Sequence, residues 1–317
     1  MKRFVKWGAV LAVLGMMALP GCIGQEEAIA PSPLPSTQFR PTVSPLAQPV
    51  PVVPPEKAAG EAPSPTPVAT ATPTPLPWWQ PRPGTTWQIQ LNSGNIDAHY
   101  DAQVYDIDLF DTPAETIAVL HRMGRKVICY FSAGTYENWR PDTGAFPRGV
   151  IGKALEDWEG EYYLDIRQLE ALAPVMRARM DLAVKKGCDA VDPDNVQNYW
   201  EDTGFPLTAA DQLRYNRWLA AEAHRRGLAV GLKNDLPQIP DLVGVFDFAV
   251  SEECFTYGEC APLKRFISAH KAVFAIEYEA LAAKVCPRAN AWGFSLLLKP
   301  WDLSAWRYSC LQDWKKE

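Results

Sequence analysis

Several carboxylates of this sequence stand where short apolar segments end. In GCDAVDPDN, Asp192 and Asp194 follow an apolar pair, and FDFAVSEECF runs into the adjacent glutamates Glu252 and Glu253. A carboxylate at the end of a buried strand costs free energy unless it is paired or hydrogen-bonded. These positions therefore indicate chemistry rather than packing.

Two carboxylates held on different strands of one site can cleave a glycosidic bond. One serves as nucleophile or base and the other as proton donor, at about 5 to 5.5 Å for retention of the anomeric configuration or about 6.5 to 9.5 Å for inversion. The donor needs a raised pKa, which neighbouring carboxylates such as Glu252 and Asp192 can provide. The pattern favours a carbohydrate-active protein.

Aromatic residues near the same segments fit that interpretation. Their rings suit stacking against sugar rings, although each ring taken singly also suits ordinary packing. The residues concerned are Tyr136, Trp139, Tyr199, Trp200, Phe255, Tyr257 and Trp301.

The alternation of side chains along a strand sorts the candidate residues by face. It places Asp192 and Asp194 on one face and turns Lys233 of AVGLKND inward. In FDFAVSEECF we expect the bulky phenylalanines and Val250 to face outer helices, which leaves Glu253 pointing inward.

Eight segments have the length and apolar content of strands, and helical patterns with apolar residues three and four apart lie between them. The helical patterns end in basic residues and glycine, as in HRMG, KKG and HRRG, which is a helix C-terminal signal. The strand segments span residues 87–91, 104–110, 126–132, 189–195, 229–235, 246–255, 272–279 and 292–299. This alternation predicts an α/β fold, a single (β/α)8 TIM barrel, whose active site forms at the C-terminal ends of the strands.

The positions of the four histidines and the net charge limit which cofactors and partners we expect. His121, His224 and His270 fall at helix ends and His99 in a loop, so we expect neither a metal site nor another cofactor. A net charge of -6 argues against nucleic acid as a partner and permits a cationic one.

The N-terminal part of the sequence has the composition of an export signal and a linker. Residues 1–21 carry a basic flank and an apolar run and lead into LPGC, which resembles a bacterial lipobox with Cys22 as the lipidated residue; an ordinary signal peptide is the alternative. Residues 22–83 hold seventeen of the 29 prolines and predict a disordered Pro/Thr-rich tether. Residues 84–317 then form the barrel domain.

Export makes the remaining six cysteines candidates for disulfide bridges. Cys129 and Cys188 lie within apolar strand patterns and could be free thiols or a third bridge. The pairings that we expect are Cys254 with Cys260 and Cys286 with Cys310.

Six motifs together resemble one known family. VICYFSAGTYENWRPD, YYLDIR, GCDAVDPDNVQNY, VGLKND, AVSEECFTYGEC and FAIEYE are similar to glycoside hydrolase family 114, the endo-α-1,4-polygalactosaminidases, over residues 87 to 299. The resemblance implies a (β/α)8 fold and endo-hydrolysis of α-1,4-linked galactosamine polymers. It implies a catalytic pair of Asp194 on strand four and Glu253 on strand six, which we interpret as nucleophile and acid/base.

The resemblance also implies a set of substrate-binding residues around that pair. They are Asp108, Tyr130, Asp192, Asn195, Lys233, Asn234, Glu277 and Tyr278. A rim of carboxylates would concentrate a cationic amino-sugar polysaccharide at low salt.

Taken together, these features predict an exported monomer, tied to the cell membrane by a lipid on Cys22 and facing the extracellular or periplasmic side. Two alternatives remain open. The barrel could bind carbohydrate without cleaving it, since a fold does not guarantee activity. It could also be a glycosidase acting on another α-linked polysaccharide, such as a neutral α-galactoside.

Overall fold

The computed structural model describes residues 78–92 and 95–315. Its strands are β1 (Trp87–Gln90), β2 (Val104–Asp108), β3 (Lys126–Ser132), β4 (Thr135–Glu137), β5 (Ile151–Ala154), β6 (Glu161–Leu164), β7 (Ala190–Asp194), β8 (Ala229–Lys233), β9 (Phe248–Glu252), β10 (Val273–Glu277), β11 (Ser295–Leu298) and β12 (Tyr308–Ser309). Each of the eight predicted strand segments contains a strand, so the prediction of strand positions is confirmed.

The α-helices are α1 (Ala114–Arg122), α2 (Leu169–Lys186), α3 (Ala209–Arg225), α4 (Ile239–Leu242), α5 (Lys264–Ser268) and α6 (Ala282–Trp292). Helix α3 begins at a capping box, in which the Thr208 side chain accepts from the Asp211 backbone N–H while the Asp211 carboxylate accepts from that of Thr208. Helix α2 ends at Gly187 with a φ of 92°, as its basic last turn and glycine predict.

Strands β1, β2, β3, β7, β8, β9, β10 and β11 form a curled parallel sheet in that order, and β12 joins its end antiparallel to β11. The predicted fold is therefore confirmed as α/β with parallel strands, but the backbone ladder is open rather than a closed barrel. Strand β12 pairs with the free edge of β11 and occupies the position that β1 would need. Side chains bridge the seam instead: Trp87 Nε1 donates to Ser295 O at 2.8 Å, and Arg307 donates to Trp87 O at 2.7 Å.

Two apolar clusters lie on opposite faces of this sheet. The outer cluster joins alternate strand residues to helix residues such as Leu120, Met176 and Leu219. The inner cluster contains strand residues of the other parity, among them Phe248 and Val250 of β9. The prediction that β9 turns these bulky residues outward is therefore wrong.

The inward position of Phe248 has a steric reason. Gly231 on β8 lacks a side chain where a Cβ would lie 2.4 Å from the Phe248 ring, and Ala190, Ala229 and Ala272 are further small residues of the inner layer. Large and small side chains on neighbouring strands thus fill the interior together. The alternation expected for β7 and β8, with Lys233 inward, is confirmed.

Residues 78–86 lie across the N-terminal ends of the strands. The side chains of Trp78 and Gln80 both donate to Asp247 Oδ1 at 3.0 Å, and Ala272 N donates to Pro81 O at 3.1 Å, just before β9 and β10 begin. Trp79 packs against the inner cluster. This segment closes the interior at the end opposite the predicted site.

Two of the predicted helix-terminal histidines contact aspartates at this same end. His121 Nε2 lies 2.8 Å from Asp189 Oδ2, and His224 Nε2 lies 2.8 Å from Asp247 Oδ2. Both histidines are in the last turn of a helix, as predicted, and each links a helix to the start of a strand.

Three disulfide bridges cross-link the described domain. Cys254–Cys260 and Cys286–Cys310 confirm the two predicted pairings. The remaining choice is settled in favour of a third bridge, Cys129–Cys188, which joins β3 to the segment before β7.

The predicted signal peptide (1–21), the lipidation site Cys22 and most of the tether (22–83) lie outside the described residues. Among those that are described, no helix combines the length and apolar character needed to cross a bilayer. The same residues hold no cluster of three or more His, Cys, Asp or Glu arranged to bind a metal ion.

Candidate active site

At the C-terminal ends of the strands, the inward-facing positions change from apolar to polar. Asp192 and Asp194 follow Ala190 on β7, Lys233 follows Gly231 on β8, and comparable residues end the neighbouring strands. The polar residues that continue the inner face are Asp106, Asp108, Tyr130, Ser132, Asp192, Asp194, Lys233, Glu252 and Tyr278.

Lys233 lies at the centre of this group, with 2% of its side chain exposed. Its Nζ is 3.3 Å from Asp194 Oδ2, 3.6 Å from Glu252 Oε2 and 3.8 Å from Asp192 Oδ2. The ammonium also lies 5.3 Å from the centre of the Tyr130 ring. One buried cation thus links carboxylates from two strands that are not neighbours on the sheet.

Exposure separates the carboxylates that can contact a substrate from those that support them. The side chains of Asp194 and Glu252 are 20% and 26% exposed. Asp106 and Asp192 are fully buried beneath them, and none of their carboxylate oxygens has a hydrogen-bond partner. Asp194 and Glu252 therefore face the opening, while the other two form an acidic layer below.

Burial sets the charge of that lower layer. It raises the pKa of Asp192 to about 7, against the attraction of Lys233, and the charge of Asp194 adds to the rise. The pKa of Asp106 is raised well above its usual range by burial and by Asp192. Burial alone would lower the pKa of Lys233, but the surrounding carboxylates, Asp194 first, raise it well above its ordinary value. Lys233 therefore stays charged near neutral pH.

Both oxygens of Asp194 are held. The backbone N–H of Asn195 donates to Oδ1 at 2.6 Å, and the Tyr130 hydroxyl donates to Oδ2 at 3.0 Å, beside Lys233. Donors on both oxygens fix the rotamer of the carboxylate and its orientation toward the opening. Asn195 and Tyr130, both predicted site residues, thus contact Asp194 directly.

Glu252 is held by neighbours on both sides. Asn234 donates to Oε2 at 3.3 Å and accepts from the Glu252 backbone N–H at 2.9 Å, while the Tyr278 hydroxyl donates to Oε1. Burial, followed by Glu252 itself, raises the pKa of Tyr278 far above its usual value, so this hydroxyl keeps its proton. Asn234 and Tyr278, also predicted site residues, are therefore partners of Glu252.

Glu253 follows directly after β9 and breaks its alternation. Its backbone has a φ of 56° in the left-handed region, and its N–H donates to Ile276 O on β10 at 2.7 Å. The side chain is half-buried and influences the pKa of Tyr257. Inward alternation along β9 thus ends at Glu252, and Glu253 begins the loop that the Cys254–Cys260 bridge closes.

Two predicted substrate-binding carboxylates have structural partners. Asp108 forms a two-pronged ion pair with Arg140, at 2.7 and 3.0 Å, and accepts from the N–H groups of Phe110 and Asp111. Glu277 accepts from the Phe255 N–H at 2.8 Å and from Thr256, and so holds the loop after Glu253. A role for either in substrate binding stays a prediction.

The predicted stacking aromatics fall into two groups. Phe255 is buried against Trp292, and Tyr136 packs edge-on against Phe146. The others have exposed rings or edges. Among them, Trp301 contacts Tyr278, whose hydroxyl donates to Glu252. Its ring, 49% exposed, stacks on Tyr278 with 4.0 Å between centroids and 16° between planes.

The strand-end reasoning missed one residue near Asp194. Glu161 is at the start of β6, in the small antiparallel sheet β4-β6-β5 inserted between β3 and α2. It accepts from Asn195 Nδ2 at 3.1 Å and from the Thr135 hydroxyl. No feature of strand alternation in the parallel sheet could have indicated it, although it immediately precedes the YYLDIR motif.

Comparisons with known proteins add an independent line of evidence. The family model for glycoside-hydrolase family GH114 matches residues 68–315. The solved structure of Ega3 from Aspergillus fumigatus in complex with galactosamine is similar, with a TM-score of 0.70 and 42% identity, over 73% of this chain and 97% of Ega3.

A second solved structure resembles the chain more distantly. The glycoside hydrolase domain of PelA from Pseudomonas aeruginosa has a TM-score of 0.57 and 12% identity, over 71% of this chain and 98% of that domain. At this identity the likeness concerns the fold alone. Among curated proteins, none matches the chain significantly.

Proposed function

The chain belongs to glycoside-hydrolase family GH114, and from that premise we propose that it cleaves α-1,4-linked galactosamine polymers within the chain. Asp194 and a glutamate at the end of β9 form the catalytic pair. The observation that carries the proposal is the position of Lys233 Nζ, 3.3 Å from Asp194 Oδ2 and 3.6 Å from Glu252 Oε2, below two partly exposed carboxylates.

In the proposed reaction, Asp194 attacks the anomeric carbon while the glutamate donates its proton to the departing glycosidic oxygen. The glycosidic bond breaks as an ester forms between the sugar and Asp194. The same glutamate then takes a proton from a water molecule, whose oxygen attacks the anomeric carbon and breaks the ester. Both carboxyl groups return to their starting states.

The contacts of Asp194 support its role as nucleophile. A nucleophilic carboxylate must be ionised and aimed, and Asp194 accepts hydrogen bonds from Asn195 N–H and Tyr130 OH next to the Lys233 ammonium. Asp192, below it, has a pKa raised to about 7 and so limits the negative charge around the pair.

Sequence reasoning selected Glu253 as the proton donor, and the contacts favour its neighbour Glu252. Glu252 continues the inner face of β9 and shares Lys233 with Asp194. Glu253 lies one residue beyond the strand, in left-handed backbone conformation. We therefore propose Glu252 as the acid/base, and the experiment below separates the two residues.

The charge of the cleft supports an amino-sugar substrate. Asp194 and Glu252 line the opening, where their carboxyl groups can pair with the amino groups of a bound sugar. Such a cleft attracts a polymer whose amino groups are protonated. The relative Ega3, at 42% identity, has been solved with galactosamine bound.

Three disulfide bridges and membership of this family indicate an extracellular protein. We further propose that it acts as a monomer and is held to the membrane by a lipid on Cys22, at the end of the Pro/Thr-rich tether. The LPGC sequence and the composition of residues 22–83 support that part of the proposal.

The experiment compares three polymers as substrates for the purified protein: deacetylated α-1,4-galactosaminan, its fully N-acetylated form and a neutral α-1,4-galactan. Mass spectrometry of released oligosaccharides should show internal cleavage of the deacetylated polymer, declining as salt is raised. Absence of cleavage of every polymer would exclude the hydrolase, and equal cleavage of the neutral galactan would exclude the proposed substrate.

Three isosteric variants then test the catalytic pair. Asp194→Asn and Glu252→Gln should each lower kcat by about 10²- to 10⁴-fold, while Glu253→Gln keeps most of the activity. Circular dichroism melts confirm that each variant folds. Loss of activity in Glu253→Gln with retention in Glu252→Gln would instead assign the acid/base role to Glu253.

A further inference from the structure

Glu161 is a buried carboxylate that the proposed reaction does not use directly. It begins β6, where it is directly opposite Glu137 of β4, and it is 7% exposed. Burying a carboxylate is costly unless its partners compensate, so those partners indicate what the side chain does.

The partners of Glu161 converge on one oxygen. Oε1 accepts from the Thr135 hydroxyl and from Asn195 Nδ2 at 3.1 Å. The same Asn195 amide also contacts Ser132 Oγ at 3.0 Å and Thr135 Oγ1 at 3.1 Å. Glu161 is therefore the titratable member of a buried cluster that fixes the Asn195 side chain.

Asn195 has an unusual backbone that this cluster stabilises. Its φ of 58° lies in the left-handed region, which costs free energy for a non-glycine residue. The turn brings the Asn195 N–H to 2.6 Å from Asp194 Oδ1. The φ of Asn195 and the ψ of Asp194 turn the same peptide plane, so relaxation of Asn195 to an extended φ would rotate that plane, and Asp194 would lose the N–H donor on Oδ1.

The other side of the turn is packed just as closely. The Asp194 carbonyl accepts from the N–H groups of Ala133 and Gly134, at 2.8 and 3.1 Å. A Cβ on Gly134 would lie 1.6 Å from the Asn195 carbonyl oxygen, so only glycine fits there. Backbone contacts thus hold the carbonyl end of Asp194, and the Glu161 cluster holds the residue after it.

We propose that Glu161 is a positioning residue that, through the Asn195 side chain, aims the Asn195 N–H at Asp194 and fixes the nucleophile for attack. The inference rests on the proposed function for its catalytic consequence. The inserted sheet β4-β6-β5 would then help to position a catalytic residue of the parallel sheet.

The charge state of Glu161 changes close to neutral pH. Burial raises its pKa to about 7, the Thr135 hydrogen bond opposes the rise, and the charges of Glu137 and Asp194 add to it while Arg140 lowers it. Tyr130 and Tyr163 also lie close enough for Glu161 to influence their pKa values. Ionised Glu161 holds the Asn195 amide more strongly than neutral Glu161, because a charged acceptor makes the stronger hydrogen bond.

Two variants of Glu161 test the proposal through kcat. Glu161→Ala removes the acceptor and should lower kcat by about 10- to 100-fold with little change in KM. Glu161→Gln keeps an acceptor oxygen but stays neutral, so the ratio of wild-type kcat to its kcat should be near one at about pH 5.5 and rise to about tenfold at about pH 8. A ratio that does not change with pH, or an undiminished kcat in Glu161→Ala, overturns the proposal.

Glu137→Gln is the matched control. It removes the buried carboxylate opposite Glu161, whose partners are Arg140 and Arg179 instead of Asn195. It should lower the melting temperature and leave kcat at about pH 6 within about twofold of wild type. A loss of kcat equal to that of Glu161→Ala would show that disturbing the inserted sheet is enough, and would overturn the specific role of Glu161.

A readout without substrate keeps this inference separate from the proposed function. At about pH 5.5, where wild-type Glu161 is neutral, hydrogen–deuterium exchange should show loss of protection at the Asn195 amide in Glu161→Ala, with protection kept in Glu161→Gln and in Glu137→Gln. If the wild type cleaves no polymer, the proposed function fails and this measurement still decides whether Glu161 holds the turn. Unchanged protection at Asn195 in Glu161→Ala overturns the proposal.

Discussion

Lys233 Nζ lies 3.3 Å from Asp194 Oδ2, and the lysine side chain is almost completely buried. The same ammonium also faces Asp192 and Glu252. Removing one partner of a buried ion pair leaves the other charges uncompensated, which costs far more than losing a surface pair. The cation is thus a requirement of the acidic cleft, and not only an aid to catalysis.

Replacing Lys233 with methionine should destabilise the domain by about 3 to 5 kcal/mol at about pH 8. At about pH 5 the loss should be smaller, because Asp192, whose pKa is already raised to about 7, takes up a proton more readily once the opposing attraction of Lys233 is gone. Urea unfolding at the two pH values measures the difference. An equal loss at both pH values would contradict the electrostatic explanation.

Asp235 should make the domain less stable as the pH rises. Its side chain is buried just after β8 and accepts a hydrogen bond from Asn216 Nδ2 at 2.9 Å. Burial raises the pKa of Asp235 to about 8. A carboxyl whose folded pKa is raised contributes stability while protonated, and that stability is lost as the pH rises from the unfolded value through about 8.

Asp235→Asn removes this titration and keeps an oxygen for Asn216. The variant should melt at about the same temperature as wild type near pH 4 and several degrees higher near pH 8. Differential scanning calorimetry across this range measures the two curves, and Glu156→Gln, at an exposed carboxyl, is the control that should leave the wild-type slope unchanged. Parallel curves for Asp235→Asn and wild type would refute the prediction.

Trp301 should contribute to substrate binding and not to the chemical step. Its exposed ring stacks on Tyr278, whose hydroxyl donates to Glu252, so a sugar next to the cleaved bond can contact the indole face. Trp301→Ala should raise KM for galactosaminan by about fivefold with kcat nearly unchanged, the pattern of a contact made equally in ground and transition states.

Trp306→Ala is the matched control for Trp301, since it removes another exposed indole from the same C-terminal segment. It should leave KM unchanged. Equal effects of the two substitutions on KM would argue against a specific platform at Trp301.

The spacing of the proposed catalytic pair, Asp194 and Glu252, predicts retention of the anomeric configuration. Because Lys233 Nζ contacts both carboxylates, their facing oxygens are no farther apart than the sum of 3.3 and 3.6 Å. This upper limit reaches only the lower end of the range of about 6.5 to 9.5 Å that inversion requires, so we expect the shorter separation of a retaining pair. Proton NMR of the first products should show the α-anomer, and initial accumulation of the β-anomer would establish inversion.

Much of this site could be predicted from local sequence patterns. Asp194 and Lys233 end strands whose apolar residues alternate regularly, and parallel strands bring such ends together at one side of the sheet. Strand β9 has the same length as β7 and β8. Which of its side chains face inward, however, depends on Gly231 of the neighbouring strand β8, which leaves room for the Phe248 ring in the interior. That dependence on packing between strands is why sequence alternation turned Glu253 inward, whereas the inner face of β9 ends at Glu252.

The role of Glu161 and the open seam between β1 and β12 could not be predicted from strand patterns either, because both depend on contacts between distant segments. Glu161 reaches Asn195 from an inserted sheet whose docking is a tertiary event with no period in the sequence. The pairing of β12 with β11 likewise depends on the chain returning to the sheet after a loop. Local patterns predicted which residues end strands, but not which distant segments pack beside them.

The segment 78–86 places the N-terminal side of the described domain away from the candidate site. Trp78 and Gln80 bind Asp247 below the sheet, so the chain enters the domain at the pole opposite Asp194 and Glu252. The lipid anchor proposed on Cys22 would therefore leave the face that carries the carboxylates free to receive the polymer. A polymer could then bind along that face, be cleaved within its length and dissociate as two shorter chains.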